Sequence, residues 1–312
     1  MWTVSEAKLF RRCQKQWFYK NRFGSALATK VPARREAFVL GTFQTVEQWR
    51  GQLVDNVIEE VVVEALNKRH PLTLTELLGE ADRLFDLQLA FARANRTREP
   101  GMTKTAAGTS FAALLAVEEE GGIAEADMTR ARTEVHRALT NLTQIPGLRD
   151  ELRAARRVVA QNTFHFKFRG EPVGAIPDLV AFYHDRPPLI IDWKVHFFGL
   201  RDARVQLLIY ALGLVRSGKA GAGAERAWTE GDIRTMEVQL LTGVVRRFTL
   251  DAVAVAEMEE YMFSSMRAIA KAGGDKEWDQ IDLSELTGIL SEDGCTTCGF
   301  KPICWKEHHE NR

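Results

Sequence analysis

With 312 residues, 42 basic against 42 acidic side chains and 45% hydrophobic content, the chain has the composition of a folded globular protein. It is long enough for one large domain, or a domain with an insertion. Zero net charge offers no general attraction to a polyanion, so a nucleic-acid partner would need local basic patches or bound metal. No apolar run reaches membrane-span length. The start, MWTVSEAKLFRRCQKQW, carries charges where a signal peptide needs an apolar core, so a cytoplasmic location is expected.

Residues 5–22 read as a helix with Ser5 as N-cap and Leu9, Cys13 and Trp17 at helical spacing. Lys8, Arg11, Arg12, Lys15, Lys20 and Arg22 make it basic. Two readings stand: a solvated cationic face, or a helix carrying a metal-binding thiolate beside a nucleic-acid backbone. After a loop around Pro32, a helical pattern resumes over 36–69. Residues 72–160 are expected to be mostly helical, interrupted at Pro100-Gly101, Gly121-Gly122 and Pro146-Gly147. They read as a helical insertion ahead of a sheet. The expected segments are 1–40, 41–160, a core over 161–273 and a cysteine-bearing tail over 274–312.

Thr163–Phe168 alternates as a strand. Val173–Phe182 and Leu189–Ile191, separated by His184-Asp185-Arg186-Pro187-Pro188, read as a hairpin. Asp178 lies in its first arm and Asp192 at the end of its second. Lys194, two residues on, shares a strand face with Asp192. Two carboxylates and a lysine at one sheet end suit a hard divalent cation and a phosphate. The bland alternative is an exposed strand end. Residues 200–218 form an amphipathic helix ending at Gly218, with Gln206 and Tyr210 stacked at i and i+4. A flexible loop spans 218–227. A second hairpin turns at Thr242-Gly243, and Asp251 caps a helix to about Lys271.

The four cysteines are Cys13, Cys295, Cys298 and Cys304. Three form a C-x2-C-x5-C pattern, in which the first pair wraps one inorganic centre and the third closes its side. A closed tetrathiolate needs a fourth ligand, and Cys13 is the one cysteine left. Zinc accepts the same donors, and free structural thiols are the bland reading.

Taken together, Gly174 with Pro177-Asp178, then Asp192-Trp193-Lys194, then Gln206-x-x-x-Tyr210, resemble the RecB-like branch of the PD-(D/E)XK nucleases. The cysteine pattern, with Ser5–Leu9 and Trp17-Phe18-Tyr19, is similar to the iron–sulfur members of that branch: AddB-type subunits and CRISPR-associated RecB-like proteins. The resemblance implies an α/β fold with a mixed central sheet flanked by helices, a helical insertion, and both termini stapled by a 4Fe-4S cluster on Cys13, Cys295, Cys298 and Cys304. It implies a Mg²⁺- or Mn²⁺-dependent deoxyribonuclease, an exonuclease on single strands or ends. Asp178, Asp192 and the Trp193 carbonyl would hold the ion, with Lys194, Gln206 and Tyr210 completing the catalytic set. Lys8, Arg11, Arg12, Lys15, Arg153, Arg156 and Arg157 are candidate backbone contacts. The branch usually carries Gly-x-x-x-His on an early helix. Here Gly41-Thr42-Phe43-Gln44-Thr45 puts threonine in the histidine position, with Gln44 or Glu47 as substitutes. That departure supports an alternative: a nuclease-weak DNA-binding adaptor within a repair, anti-phage or CRISPR-adaptation assembly, with helicase or defence proteins as partners.

Overall fold

A computed structural model describes the chain except residues 29, 120–121, 196–199, 222–226, 290–294 and 311–312, and the side chains of 200–202 and 306–310. Gly121, half of the expected loop over 218–227, and the residue preceding Cys295 fall outside the described residues. The chain groups into two compact units: Met1–Val4, Arg50–Phe85 and Thr129–Met262 in the first, and Ser5–Trp49, Asp86–Met128 and Phe263–Arg312 in the second.

The first unit holds the sheets. Strands β1 (Trp2–Thr3), β2 (Arg157–Ala160), β3 (Phe164–Phe168), β4 (Glu171–Ala175), β5 (Leu179–Phe182), β6 (Leu189–Lys194), β7 (Arg234–Gln239) and β8 (Val244–Phe248) form two sheets, ordered β1-β4-β3 and β2-β5-β6-β7-β8. One long hairpin supplies strands to both. Its tip is the two-residue turn Arg169-Gly170, with φ of 49° and 88°, a left-handed pair that suits a tight antiparallel turn. Near the tip β3 pairs with β4; further down β2 pairs with β5.

Between those pairings both arms bend. Gln161 has φ of 48° and donates its N–H to the carbonyl of Asp178, which stands opposite it; Pro177, next to Asp178, has no N–H to give a ladder. The expected continuous run Val173–Phe182 is therefore divided at 176–178, and the core begins at Arg157 instead of 161. In β3 the three phenylalanines are buried while His165 and Lys167 are exposed.

Strand β6 pairs with β7 in parallel, which demands a crossover connection. Helix α10 (Leu200–Arg216) lies in that connection. It buries Ala203, Leu207, Leu208, Ala211 and Leu214. A side chain at Gly213 would place its Cβ 2.5 Å from the Ala175 Cβ, so glycine permits this approach. The β7–β8 hairpin turns at Gly243, φ 72°, and Asp251 Oδ1 accepts the Ala254 N–H at 2.8 Å to cap α11 (Ala252–Lys271).

The helices in chain order are α1 (Val4–Arg12), α2 (Gln14–Trp17), α3 (Pro32–Leu40), α4 (Val46–Val57), α5 (Glu64–Asn67), α6 (Leu74–Arg93), α7 (Lys104–Ala107), α8 (Glu125–Gln144) and α9 (Leu148–Ala154), then α10 and α11. A last helix spans Lys301–Glu310. The expected helix over 5–22 is interrupted at Cys13, where φ −159° and ψ 109° are extended. Cys13 Sγ accepts the Gln16 N–H at 3.4 Å and so caps α2. The second unit is cored by Phe10, Trp17, Phe18, Tyr19, Leu40, Leu286 and Phe300. Tyr19 and Phe300 stack with ring centroids 5.6 Å apart. Apolar packing thus joins the chain's two ends independently of any metal.

Candidate active site

The bend in the hairpin aims Asp178. Leu179 pairs with Ile191, so in antiparallel register Asp178 faces Asp192 one step on. The Trp193 N–H donates to Asp178 Oδ2 at 2.9 Å, and Gln161 Nε2 donates to Oδ1 at 3.4 Å. Asp192 is fully buried. Its Oδ2 is ion-paired with Lys194 Nζ, while Oδ1 has no hydrogen-bond partner among the described residues. A buried carboxylate left this way is costly unless a cation or proton completes it. Trp193 lies between them, its ring buried and its indole N–H unpartnered.

Burial, then the charges of Asp192 and Asp55, push the Asp178 carboxyl well above the usual range. Burial alone would lower the Lys194 ammonium, but Asp192, Asp178 and Asp55 outweigh it and hold the group above the ordinary lysine value. From α10, Gln206 Nε2 donates to Tyr210 Oη at 2.6 Å. Burial, then the Asp192 and Asp178 charges, raise the Tyr210 phenol well above its ordinary value. The structure therefore brings Asp178, Asp192, Lys194 and Tyr210 within electrostatic reach of one another, with Gln206 attached through Tyr210.

Two acids at this site escaped the sequence reading. Asp55, on α4, acts on both Asp178 and Lys194. A signal for it exists: Gly51-Gln52-Leu53-Val54-Asp55 repeats the Gly-x-x-x-His frame ten residues after Gly41, with aspartate in the histidine position. Thr45, which the first frame singled out, caps α4 instead. Its Oγ1 accepts the Gln48 N–H at 3.3 Å, and its own N–H donates to Gln48 Oε1 at 3.0 Å. Gln44 bonds through its backbone to Ala113 and Leu115.

The second missed acid is Glu237, the register partner of Asp192 on β7 and on the same sheet face. It is fully buried, with Oε2 lacking a hydrogen bond. Its Oε1 accepts from Gln239 Nε2 and lies 3.5 Å from Arg246 Nη1. Thr235, Glu237 and Gln239 alternate along β7 as a polar face. That pattern ordinarily signals exposure, whereas all three are buried here.

In the second unit, Cys13, Cys295, Cys298 and Cys304 line one small cavity with Tyr19, Phe300 and Trp305. All four are free thiols. Burial first, then its cysteine neighbours, raises the Cys298 thiol, and burial pushes Cys304 up to about 11. Among the described residues, no carboxylate or imidazole lines the cavity. This all-sulfur donor set fits iron–sulfur or zinc and not a hard cation. The oxygen donors of Asp178, Asp192 and Asp55, with Asp192 Oδ1 unpartnered among the described residues, fit Mg²⁺ or Mn²⁺. Among the described residues, no three His, Cys, Asp or Glu side chains already stand at the spacing of a single bound ion.

The sequence profile of the PD-(D/E)XK nuclease superfamily matches residues 1–305. The chain belongs to that superfamily, and the mixed sheet with flanking helices is its nuclease-type hydrolase core. No curated protein matches the chain. No described helix is long and apolar enough to cross a membrane.

Proposed function

We propose that this protein is a Mg²⁺- or Mn²⁺-dependent deoxyribonuclease of the RecB-like type, acting on single strands or DNA ends. The observation that carries this reading is Asp192: fully buried, its Oδ2 paired with Lys194, its Oδ1 without a partner among the described residues, and opposite Asp178. Asp178, Asp192 and Asp55 would hold the ion, with the Trp193 carbonyl as a further oxygen donor. Bound there, a divalent cation polarises the scissile phosphate and lowers the pKa of the attacking water. Lys194, kept protonated by three carboxylates, offers a fixed positive charge to the phosphorane oxygens. Tyr210, kept protonated, donates to a phosphate oxygen or water, and Gln206 fixes the orientation of its hydroxyl.

Single-stranded DNA incubated with Mn²⁺ tests the reading. The wild type is expected to cleave, and Asp192→Ala and Lys194→Ala are expected not to. Absence of cleavage by the wild type across DNA substrates and metals would favour the adaptor reading, in which the chain binds DNA for a partner enzyme. Thr45 in place of histidine supports that second reading, and Asp55 weakens it by returning an oxygen ligand from the same helix.

The four thiols lining one cavity support a structural 4Fe-4S cluster on Cys13, Cys295, Cys298 and Cys304. Protein purified without oxygen is expected to be brown. A colourless preparation containing stoichiometric zinc would replace iron by zinc.

A further inference from the structure

Helix α4 carries a charge where its pattern calls for an apolar side chain. Arg50, Leu53, Val54 and Val57 recur at i, i+3, i+4 and i+7, and all four are buried. A guanidinium in such a stripe is costly unless it is paired and hydrogen-bonded. Arg50 is both. Its Nη1 pairs with Glu134 Oε2 on α8, and its Nη2 donates to the carbonyl of Val195. Val195 directly follows Lys194, the last residue of β6. Within the first unit, one planar fork thus ties together the helix of Asp55, the strand of Asp192 and Lys194, and α8.

Helix α8 holds the neighbouring strand end as well. Leu240, just past β7, donates its N–H to the Lys194 carbonyl at 2.8 Å. Its own carbonyl accepts from Asn141 Nδ2 at 2.7 Å. Glu134 and Asn141 are about two helical turns apart, so they share one face of α8. Both belong to the stretch that reads from sequence only as a helical insertion. A buried ion pair by itself is a poor stabiliser, since an apolar pair of the same volume often does as well or better. What an apolar pair cannot supply is a hydrogen bond to one chosen carbonyl.

We propose that Arg50 is a positioning residue of the candidate active site: by tying α4 to the Val195 carbonyl, with Glu134 balancing its charge, it sets where Asp55 and Lys194 stand relative to Asp178 and Asp192. The use made of that geometry rests on the nuclease reading above. Asp55 follows Arg50 on the same helix and moves with it. Lys194 precedes Val195 and moves with the strand end. A displacement of about 1 Å at a reacting centre costs about a hundredfold in rate.

Arg50→Met with Glu134→Leu replaces the pair by apolar side chains and removes the bond to Val195. The full-length variant is expected to fold, as thermal melts check. It is expected to bind Mn²⁺ about tenfold to a hundredfold more weakly, read from the paramagnetic resonance of free Mn²⁺ without DNA. On single-stranded DNA its kcat is expected to fall by a similar factor, with KM little changed. Arg50→Lys keeps the charge and loses the fork. It is expected to show the same loss in smaller measure, and it stands in if the double variant does not fold. Arg234→Met breaks the ion pair with Glu151 at the opposite end of β7, and its Mn²⁺ affinity is expected within about twofold of wild type. Wild-type Mn²⁺ affinity in the folded Arg50 variants, or an equal loss in Arg234→Met, would overturn this inference alone. A wild type that neither binds Mn²⁺ nor cleaves DNA would sink the nuclease reading and this inference with it.

Discussion

The Trp193 amide donates to Asp178 Oδ2 at 2.9 Å, fastening the acid at the bend of one strand to the backbone beside the acid of the next. The bond has a cost, since it holds like charges close together. Burial and the Asp192 charge both oppose ionisation of Asp178, and Lys194 offsets the burial of Asp192 at Oδ2 alone. A divalent cation would relieve the remaining repulsion between the two acids.

Asp192→Asn should abolish metal response and activity together. It leaves the buried Lys194 without its ion-pair partner, so the Tm measured with chelator is expected to fall by the several degrees that about 3 kcal/mol gives. Cleavage is expected to fall at least about a hundredfold, about 2.7 kcal/mol of transition-state stabilisation. Addition of Mn²⁺ should raise the wild-type Tm and leave the variant unchanged. Equal Mn²⁺ stabilisation of both proteins would mark Asp192 as structural.

Asp55 and Thr45 distinguish the two Gly-x-x-x frames. Asp55→Ala is expected to lower Mn²⁺-dependent cleavage about tenfold to a hundredfold with little change in Tm, since the residue is only half-buried. Thr45→Ala removes a helix cap. It is expected to cost about 1 kcal/mol of stability and leave cleavage within about twofold. Assays of both variants across a Mn²⁺ titration decide between the frames.

Gly299 tests how the chain ends are joined. A Cβ there would meet the Leu40 carbonyl oxygen at 2.4 Å, so Gly299→Ala must push the Cys298–Phe300 segment away from α3. A loss of about 1–3 kcal/mol is expected, with reduced metal content by elemental analysis. Phe300→Ala deletes the ring stacked on Tyr19 and is expected to cost about 3–5 kcal/mol. Full metal retention in both variants would show that the thiols need no help from this packing.

Acid should weaken the second unit through Glu118. Its hydrogen bond and ion pair with Arg98 hold its carboxyl below the ordinary value of 4.5. A depressed carboxylate contributes stability above the unfolded pKa and loses it as pH falls through the folded one. Both partners are partly exposed, so the pair is worth about 1 kcal/mol or less. Arg98 also binds Glu36 at 3.0 Å. Arg98→Gln is therefore expected to melt below wild type at neutral pH, with the gap closing below about pH 4.5. Melts across that range measure it.

Some of this was open to inspection in the residues alone. Asp192 and Lys194, or Gln206 and Tyr210, owe their common face to the period of one strand or one helix, and the cysteines to a short loop spacing. Those relationships are local, so chain order carries them. Asp55 and Glu237 come to the site through packing of a distant helix and a parallel crossover. The Asp178 geometry depends on a bend that Pro177 and Gln161 make together from opposite strands. The residue types and the chemistry they suit were set by the sequence itself. The folded chain alone decided which carboxylates share one low-dielectric space, because electrostatic coupling depends on distance and burial, and neither is a function of position along the chain.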